Sequence, residues 1–317
     1  MRRRTLVLVG LAVVAIVLCV VPARVSAWWP DGHALVDGAA LEVVGADMPT
    51  FLRSAGKAVS LHAAMPDVWT ESGLPRLRAA ERHNHFIDLE LLAGEQPPPT
   101  KAEYLALLAR LGVAQEVAGT LPYAICETYE RLVVAFAVCR AMPDDEAARA
   151  EALYLSGILS HYAADAVQPL HTTVHFDGRL RDDGTSPRTG IHLKVDALPA
   201  NAGLARAEVA AGIRVEAVED VFGFSLAAIR QAHALVDRVY ELEARLPPAE
   251  GGRPNAGLDP EVRQFALERS RAAAGVVSAL WCSAWRASAN VTLPEWFGPF
   301  AGRLDEARAA PGGCAAP

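Results

Sequence analysis

The chain has 317 residues, 52% of them hydrophobic, with 30 basic side chains against 37 acidic ones and a formal charge of −7. This is ample apolar material for one large core, and the length alone also admits two domains. The acidic balance excludes the bulk positive charge on which nonspecific nucleic-acid binding usually depends.

In chain order, MRRR comes first, then the apolar run TLVLVGLAVVAIVLCVV, Pro22 and the small-residue stretch VSA at 25–27. These are the basic, apolar and cleavage regions of a secretory signal. Residues 1–27 are therefore expected to be removed after Ala27, leaving a secreted or periplasmic protein. An uncleaved anchor is the bland alternative, since the run could nearly span a bilayer, but Pro22 and the small residues favour cleavage. Leu18 before Cys19 argues against a lipoprotein site. The mature chain then carries 26 basic and 37 acidic residues, a formal charge of −11. Any phosphate-bearing substrate would need a local source of positive charge. Cys126, Cys139, Cys282 and Cys314 remain, at spacings that match no thiolate zinc motif and leave disulfide pairing open.

Helical periodicity dominates the rest, and no stretch alternates convincingly as a strand. The fold class expected is all-α, a single compact multi-helix domain over residues 28–300 with a flexible tail at 301–317. Short helices are expected after Gly32 and Thr100, and a long one through GTLPYAICETYERLVVAFAVC. The stretch PDDEAARAEALYLSGILSHYAADA opens with Pro143 and an acidic first turn, which suits a helix N-terminus, and Pro169 ends the pattern. One continuous helical pattern runs from Leu204 to Leu246, and another from Asp259 and Pro260 to about Ser288. The breaks are GEQPPPT near 97, DGRLRDDGTSPRTG at 177–190 and PPAEGGRPNAG at 247–257, none with the look of a domain linker.

The chemistry concentrates in SHYAADAVQPLH, residues 160–171. His161 and Asp165 are four apart on the expected helix, so both rise from one face with Cβ atoms roughly 5–6 Å apart and can meet one ion. Gly157, one turn earlier on that face, leaves room for an ion or for a second helix. His171 follows Pro169, leaves the helix axis and can reach a different point of the same cleft. GIHLKVDALP repeats the device with His192 and Asp196. A histidine and a carboxylate at helical spacing are singly more often a surface ion pair, but two such pairs plus His171 within 36 residues lower that reading. Upstream stand Asp67 in AAMPDVW and His83, His85 and Asp88 in ERHNHFIDLE. WWPDGH supplies His33 and, after cleavage, an α-amine at Trp28 whose reference pKa of about 7.7–8.0 permits metal binding. Nitrogen and carboxylate ligands without thiolates suit zinc better than magnesium or iron–sulfur clusters.

The order Trp28 with His33, Asp67, HFID at 85–88, SHYAADAVQPLH and HLKVD resembles the superfamily of zinc-dependent single-strand nucleases and bacterial phospholipases C. The match covers residues 28–196, with HxxxD followed by QPLH as its most specific part. The resemblance implies three Zn²⁺ in a helical cleft. Asp67, His85, His161 and Asp165 would hold the first; His171, His192 and Asp196 the second; and Trp28, His33 and a shared Asp165 the third. It further implies in-line attack on phosphorus by a metal-bridging hydroxide, with Asp67 and Asp165 as catalytic carboxylates that also ligate. Asp88 would orient His85 from behind or take part in proton transfer. Phe86 would stack on a base or line a headgroup pocket, although packing is the commoner role. His175 lies four after His171 and could share its ion only if the chain stayed helical past Pro169. His62, His83 and His233 have no telling partners.

Within that superfamily, His33 five residues after Trp28 resembles the nuclease branch, as does Asp196 where the phospholipase pattern has glutamate. Val68 stands where that pattern places an aromatic of a choline cage, while Asp31 could still attract a cationic headgroup. The expected function is an endonuclease cleaving single-stranded DNA or RNA to 5′-phosphate products. The alternatives are a phospholipase C acting on phosphatidylcholine-like lipids and a secreted zinc-binding protein without turnover. The absence of a basic stripe in the sequence weighs against a dedicated long-polymer binder.

Overall fold

A computed structural model describes residues 28–249 and 254–309, with side chains as far as 303. The expected signal segment lies outside the described residues, as does Cys314. The fold is all-α. Among the described residues the only β-type pairings are isolated bridges, Ile87 with Gly119 and Phe176 with Gly178.

The chain begins with α1 (Pro30–Val43), α2 (Thr50–Arg53), α3 (Gly56–Ala63), α4 (Met65–Glu71) and α5 (Pro75–Glu81). Next come α6 (Lys101–Leu111), α7 (Gln115–Ala118), α8 (Leu121–Ala141) and α9 (Glu146–Asp165). The short α10 (Ile191–Asp196), α11 (Leu198–Asn201) and α12 (Arg206–Ala210) lead to α13 (Val221–His233), α14 (Val236–Leu242), α15 (Pro260–Ala287) and α16 (Phe297–Ala309). No helix among the described residues is long and apolar enough to cross a membrane.

Helix α9 is the axis of the structure, packed by α1, α3, α8 and α15. It starts after Pro143 because Asp145 is its cap: the Asp145 side chain accepts from the backbone N–H of Ala148 at 2.8 Å. Such a cap stabilises a helix by about 1 kcal/mol. Asp259 caps α15 in the same way, accepting from Glu261 and Val262. Within α15, Trp281 is fully buried and its Nε1–H donates to the carbonyl of Ser156 at 3.0 Å, fastening α15 to α9.

The continuous helix expected from Leu204 to Leu246 is instead broken into α12, α13 and α14. Gly212 takes φ +80°, a left-handed conformation that ends the first piece, and the Asp220 side chain caps α13 by accepting from Gly223 N at 2.9 Å. The second break, at Leu235, lets α14 turn its Val239 and Leu242 into a small apolar cluster with Leu170, Ile191, Val195, Leu198 and Phe265. That cluster anchors α10, and with it His192 and Asp196. The segment expected as a tail begins inside α16, which is helical to Ala309. Among the described residues Cys126, Cys139 and Cys282 form no disulfide.

Candidate metal centre

Placement of the ligands begins at Gly157. A Cβ there would lie 2.5 Å from His62 Cβ and 2.6 Å from the Val59 carbonyl oxygen, so α9 and α3 touch backbone to backbone. The room expected beside His161 is filled by a second helix. This approach brings the Ala63 carbonyl at the end of α3 within 2.7 Å of His161 Nδ1. Nδ1 therefore carries the proton, and the Nε2 lone pair points into the protein. Gly157→Ala should lower thermal stability and zinc affinity together, measured by melting in chelator and by zinc titration. Overpacking costs about 1–3 kcal/mol, and the roughly 1 kcal/mol gained in helix propensity does not offset it, because the opposing atoms are His62 Cβ and the Val59 and Ala63 backbone, none of which can swing aside.

From the end of α9 the chain turns through a one-turn 3-10 segment, Pro169–His171. His171 Nδ1 donates to the His85 carbonyl at 2.8 Å, which again leaves Nε2 facing inward. Gln168 fixes a third ligand, its Nε2 donating to Asp196 Oδ1 at 2.7 Å while its Oε1 accepts from Leu170 N. Hydrogen bonds of this kind set the tautomer and orientation of metal ligands. Gln168 stands within QPLH, yet nothing in its spacing marks it as a brace, and the two carbonyl partners have no sequence signal at all.

All eight expected side-chain ligands are buried: His33, Asp67, His85, His161, Asp165, His171, His192 and Asp196. Their donor atoms form three sets that could each hold an ion: His33, His161 and Asp165; Asp67, His85 and His161; His171, His192 and Asp196. A tetrahedral zinc with bonds near 2.0–2.1 Å sets its ligand atoms about 3.3 Å apart. The separations here are 3.0 Å from His161 Nε2 to His85 Nδ1, 3.3 Å from His161 Nε2 to Asp165 Oδ2, 3.2 Å from His85 Nδ1 to Asp165 Oδ2 and 3.1 Å from His192 Nε2 to Asp196 Oδ2. Asp165 lies within 4 Å of four histidines, with Oδ1 toward His33 and Oδ2 toward His85, His161 and His171. Its two oxygens thus face different sets, as a bridging carboxylate requires.

Buried polar atoms are nearly always hydrogen-bonded. Among the described residues, both nitrogens of His33 and His192, His85 Nε2, His171 Nε2, Asp165 Oδ1 and Asp196 Oδ2 nevertheless have no hydrogen bond. Burial and then the His161 ring, stacked on it at 4.3 Å, hold the His33 imidazole well below its usual pKa, in the neutral form that ligates. Burial alone would raise Asp165, yet His161 and His171 beside it hold its carboxylate well below the usual range. Burial works against charge on His171 too, but Asp165 and Asp196 lift it to about 9. Clustered orphan donors of matched type and spacing fit divalent metal ions, and their N/O chemistry fits zinc.

Trp28 is buried at the foot of α1, its ring centroid 6.5 Å from that of His33, and Trp29 N donates to the Asp196 carbonyl at 3.3 Å. The expected Asp88–His85 contact is not formed. Asp88 pins its loop through its backbone to Ala118, while burial and then Glu90 hold its carboxyl well above the usual range. Half-buried Phe86 lies against Gly119, where a Cβ would stand 2.0 Å from the Phe86 carbonyl oxygen and 2.8 Å from its ring. His175 is engaged elsewhere, its Nδ1 accepting from Leu180 N at 3.0 Å. One acidic neighbour has no motif to reveal it in sequence: Asp37, buried in α1, accepts from Ser160, the residue before His161, and burial pushes it up to about 7 against the hydrogen bonds of Ser160 and Ser60.

No protein-family model matches the sequence, and no curated protein matches it. Among solved structures the fold overlaps with Alpha Toxin from Clostridium Absonum at 12% identity, over 85% of this chain and 68% of that chain, with a TM-score of 0.41. At that overlap the functional reading rests on the side chains.

Proposed function

We propose that the protein is a secreted zinc-dependent phosphodiester hydrolase and, within that class, an endonuclease for single-stranded DNA or RNA that leaves 5′-phosphates. The observation that supports it most is buried Asp165, which turns one oxygen to His33 and the other to His85 and His161, with His161 common to two of the ligand sets. Asp67, His85, His161 and Asp165 would hold one zinc, His171, His192 and Asp196 a second, and His33, Asp165 and Trp28 a third. Bound zinc supplies Lewis acidity toward a phosphoryl oxygen and a water of lowered pKa. The chain's own part is to fix the imidazole tautomers through the Ala63 and His85 carbonyls, to lock Asp196 through Gln168, and to keep the ligands dry.

His33 close behind Trp28, Asp196 in place of glutamate, and Val68 in place of an aromatic favour the nuclease over the phospholipase. A phospholipase C reading finds support in a different place. Trp296 and Phe300 are exposed at 65% and 40% and, with Phe297, form an aromatic patch at the start of α16, a composition common at lipid interfaces. Purified mature protein should release nucleotides from single-stranded DNA or RNA and no phosphocholine from phosphatidylcholine, with activity lost in chelator and restored by zinc. Headgroup release instead would choose the phospholipase, zinc binding with neither reaction would leave a sequestration role, and hydrolysis that survives chelation would sink the metal reading.

A further inference from the structure

Although the sequence shows no basic stripe, the fold assembles one. Arg53 from α2, Lys57 from α3 and Arg206 from α12 line one groove of about 580 Å³ along the outer face of α1, with Glu42 as its one acidic wall residue. All three cations are exposed. Arg53 is spent only on the Met48 carbonyl and the Thr50 hydroxyl, and none of the three makes an ion pair among the described residues. In a chain with excess acid, three unneutralised cations converging from separate elements are a local electropositive site.

Helix α3 adds to it. Its N-cap is Ala55, no side chain caps it, its first turn holds no acid, and Gly56 and Lys57 both line the groove. Lys57 in the first turn is the wrong sign for the helix dipole, a mismatch that an anion in the groove would relieve. Gly38 shapes the opposite wall: a Cβ there would lie 2.5 Å from Arg206 Nε, so only glycine lets the guanidinium settle onto α1.

The groove also runs along the helix that carries His33. It adjoins a second one of about 400 Å³ that shares Ala34 and Arg206 and runs past Pro199 to Asp31, at the end of α1 that carries Trp28 and His33. His33 and Gly38 are about 7.5 Å apart along the α1 axis by helical rise. The groove floor at Ser60 bonds Asp37, which bonds Ser160 beside His161.

We propose that this groove binds the phosphodiester backbone of a single-stranded polynucleotide beyond the nucleotides held at the metal centre. The proposal rests on the nuclease reading for its ligand but not for its geometry. On a single strand, each phosphate that a cation neutralises contributes about 0.7 to the slope of log K against log salt. Replacing all three cations by neutral side chains should therefore flatten that slope by about 2.

The test is a fluorescence-anisotropy titration of zinc-loaded protein with a labelled oligothymidylate carrying cleavage-resistant phosphorothioate linkages, over a salt series. Arg53→Gln, Lys57→Gln and Arg206→Gln combined should weaken binding at least tenfold at low salt and flatten the salt dependence. Gly38→Ala, which favours the helix while displacing Arg206, should weaken it several-fold, and Lys57→Arg should keep nearly all of the affinity that Lys57→Gln forfeits. Equal affinity and equal salt slope in the triple variant overturn the groove. If wild-type protein still cuts single-stranded DNA in that case, the hydrolase reading stands without it. A triple variant that binds the oligonucleotide normally but no longer binds anionic phospholipid vesicles also overturns the polynucleotide assignment.

Discussion

Asp165→Asn is expected to cut phosphodiester hydrolysis by at least about 10³-fold and to lower bound zinc from three ions per chain to the single ion of the His171, His192 and Asp196 set. Zinc contributes several kcal/mol to a transition state, and about 4 kcal/mol corresponds to three powers of ten. Asp165 is the one carboxylate common to two of the proposed sites, and it faces His33 through one oxygen and His85 and His161 through the other. The amide keeps the volume but removes the charge, and only one of its two terminal atoms can ligate. Elemental analysis of the dialysed variant checks the metal count, and substrate turnover checks the rate. Three zincs retained at full activity would show that Asp165 is not the bridge. Asp165→Glu separates charge from geometry: at a residue with no exposed surface the extra methylene displaces the carboxylate, so zinc content should fall here as well.

This centre was legible where helical spacing does the work. His161 with Asp165 and His192 with Asp196 each lie four residues apart, and on a helix that spacing alone sets both groups on one face. The bend at Pro169 likewise shows in sequence, because proline cannot continue an α-helix. What determines tautomer and depth is not legible. The Ala63 carbonyl reaches His161 only because Gly157 lets two backbones touch, and a glycine in a helical pattern does not announce which partner fills its gap. Asp88 is harder to read for a related reason: three residues after a histidine is helical spacing, but Phe86 is extended, with φ −148° and ψ 168°, so that spacing alone does not set the two side chains on one face. The long pattern from Leu204 to Leu246 fails by the same logic, since apolar periodicity survives interruption at Gly212 and Leu235 while the chain changes direction. Arg53, Lys57 and Arg206 are invisible as a group until α12 is packed on α1.

Protein retaining even one residue before Trp28 is expected to lose one zinc and most of its activity, although it folds. Trp28 is buried, and the backbone that follows is pinned: Gly32 N and His33 N donate to the Trp29 carbonyl at 2.7 and 3.2 Å, and Trp29 N to that of Asp196. With so little slack the N-terminal nitrogen cannot be moved aside to make room. Cleavage after Ala27 makes that nitrogen an amine able to ligate, with a reference pKa of about 7.7–8.0, whereas a preceding residue turns it into an amide with no lone pair to offer. His33, Asp165 and the Trp28 carbonyl would then be the protein ligands left at that ion, and the neutral carbonyl does not make up for the lost amine nitrogen. Two preparations differing by one alanine before Trp28, compared for zinc per chain and for turnover, carry the test. Melting temperature in chelator serves as the folding control, because without metal the two forms should unfold together. Equal zinc content and equal turnover would remove Trp28 from the ligand set and leave His33 to serve the ion of His161 and Asp165, the grouping in which the side chains already stand.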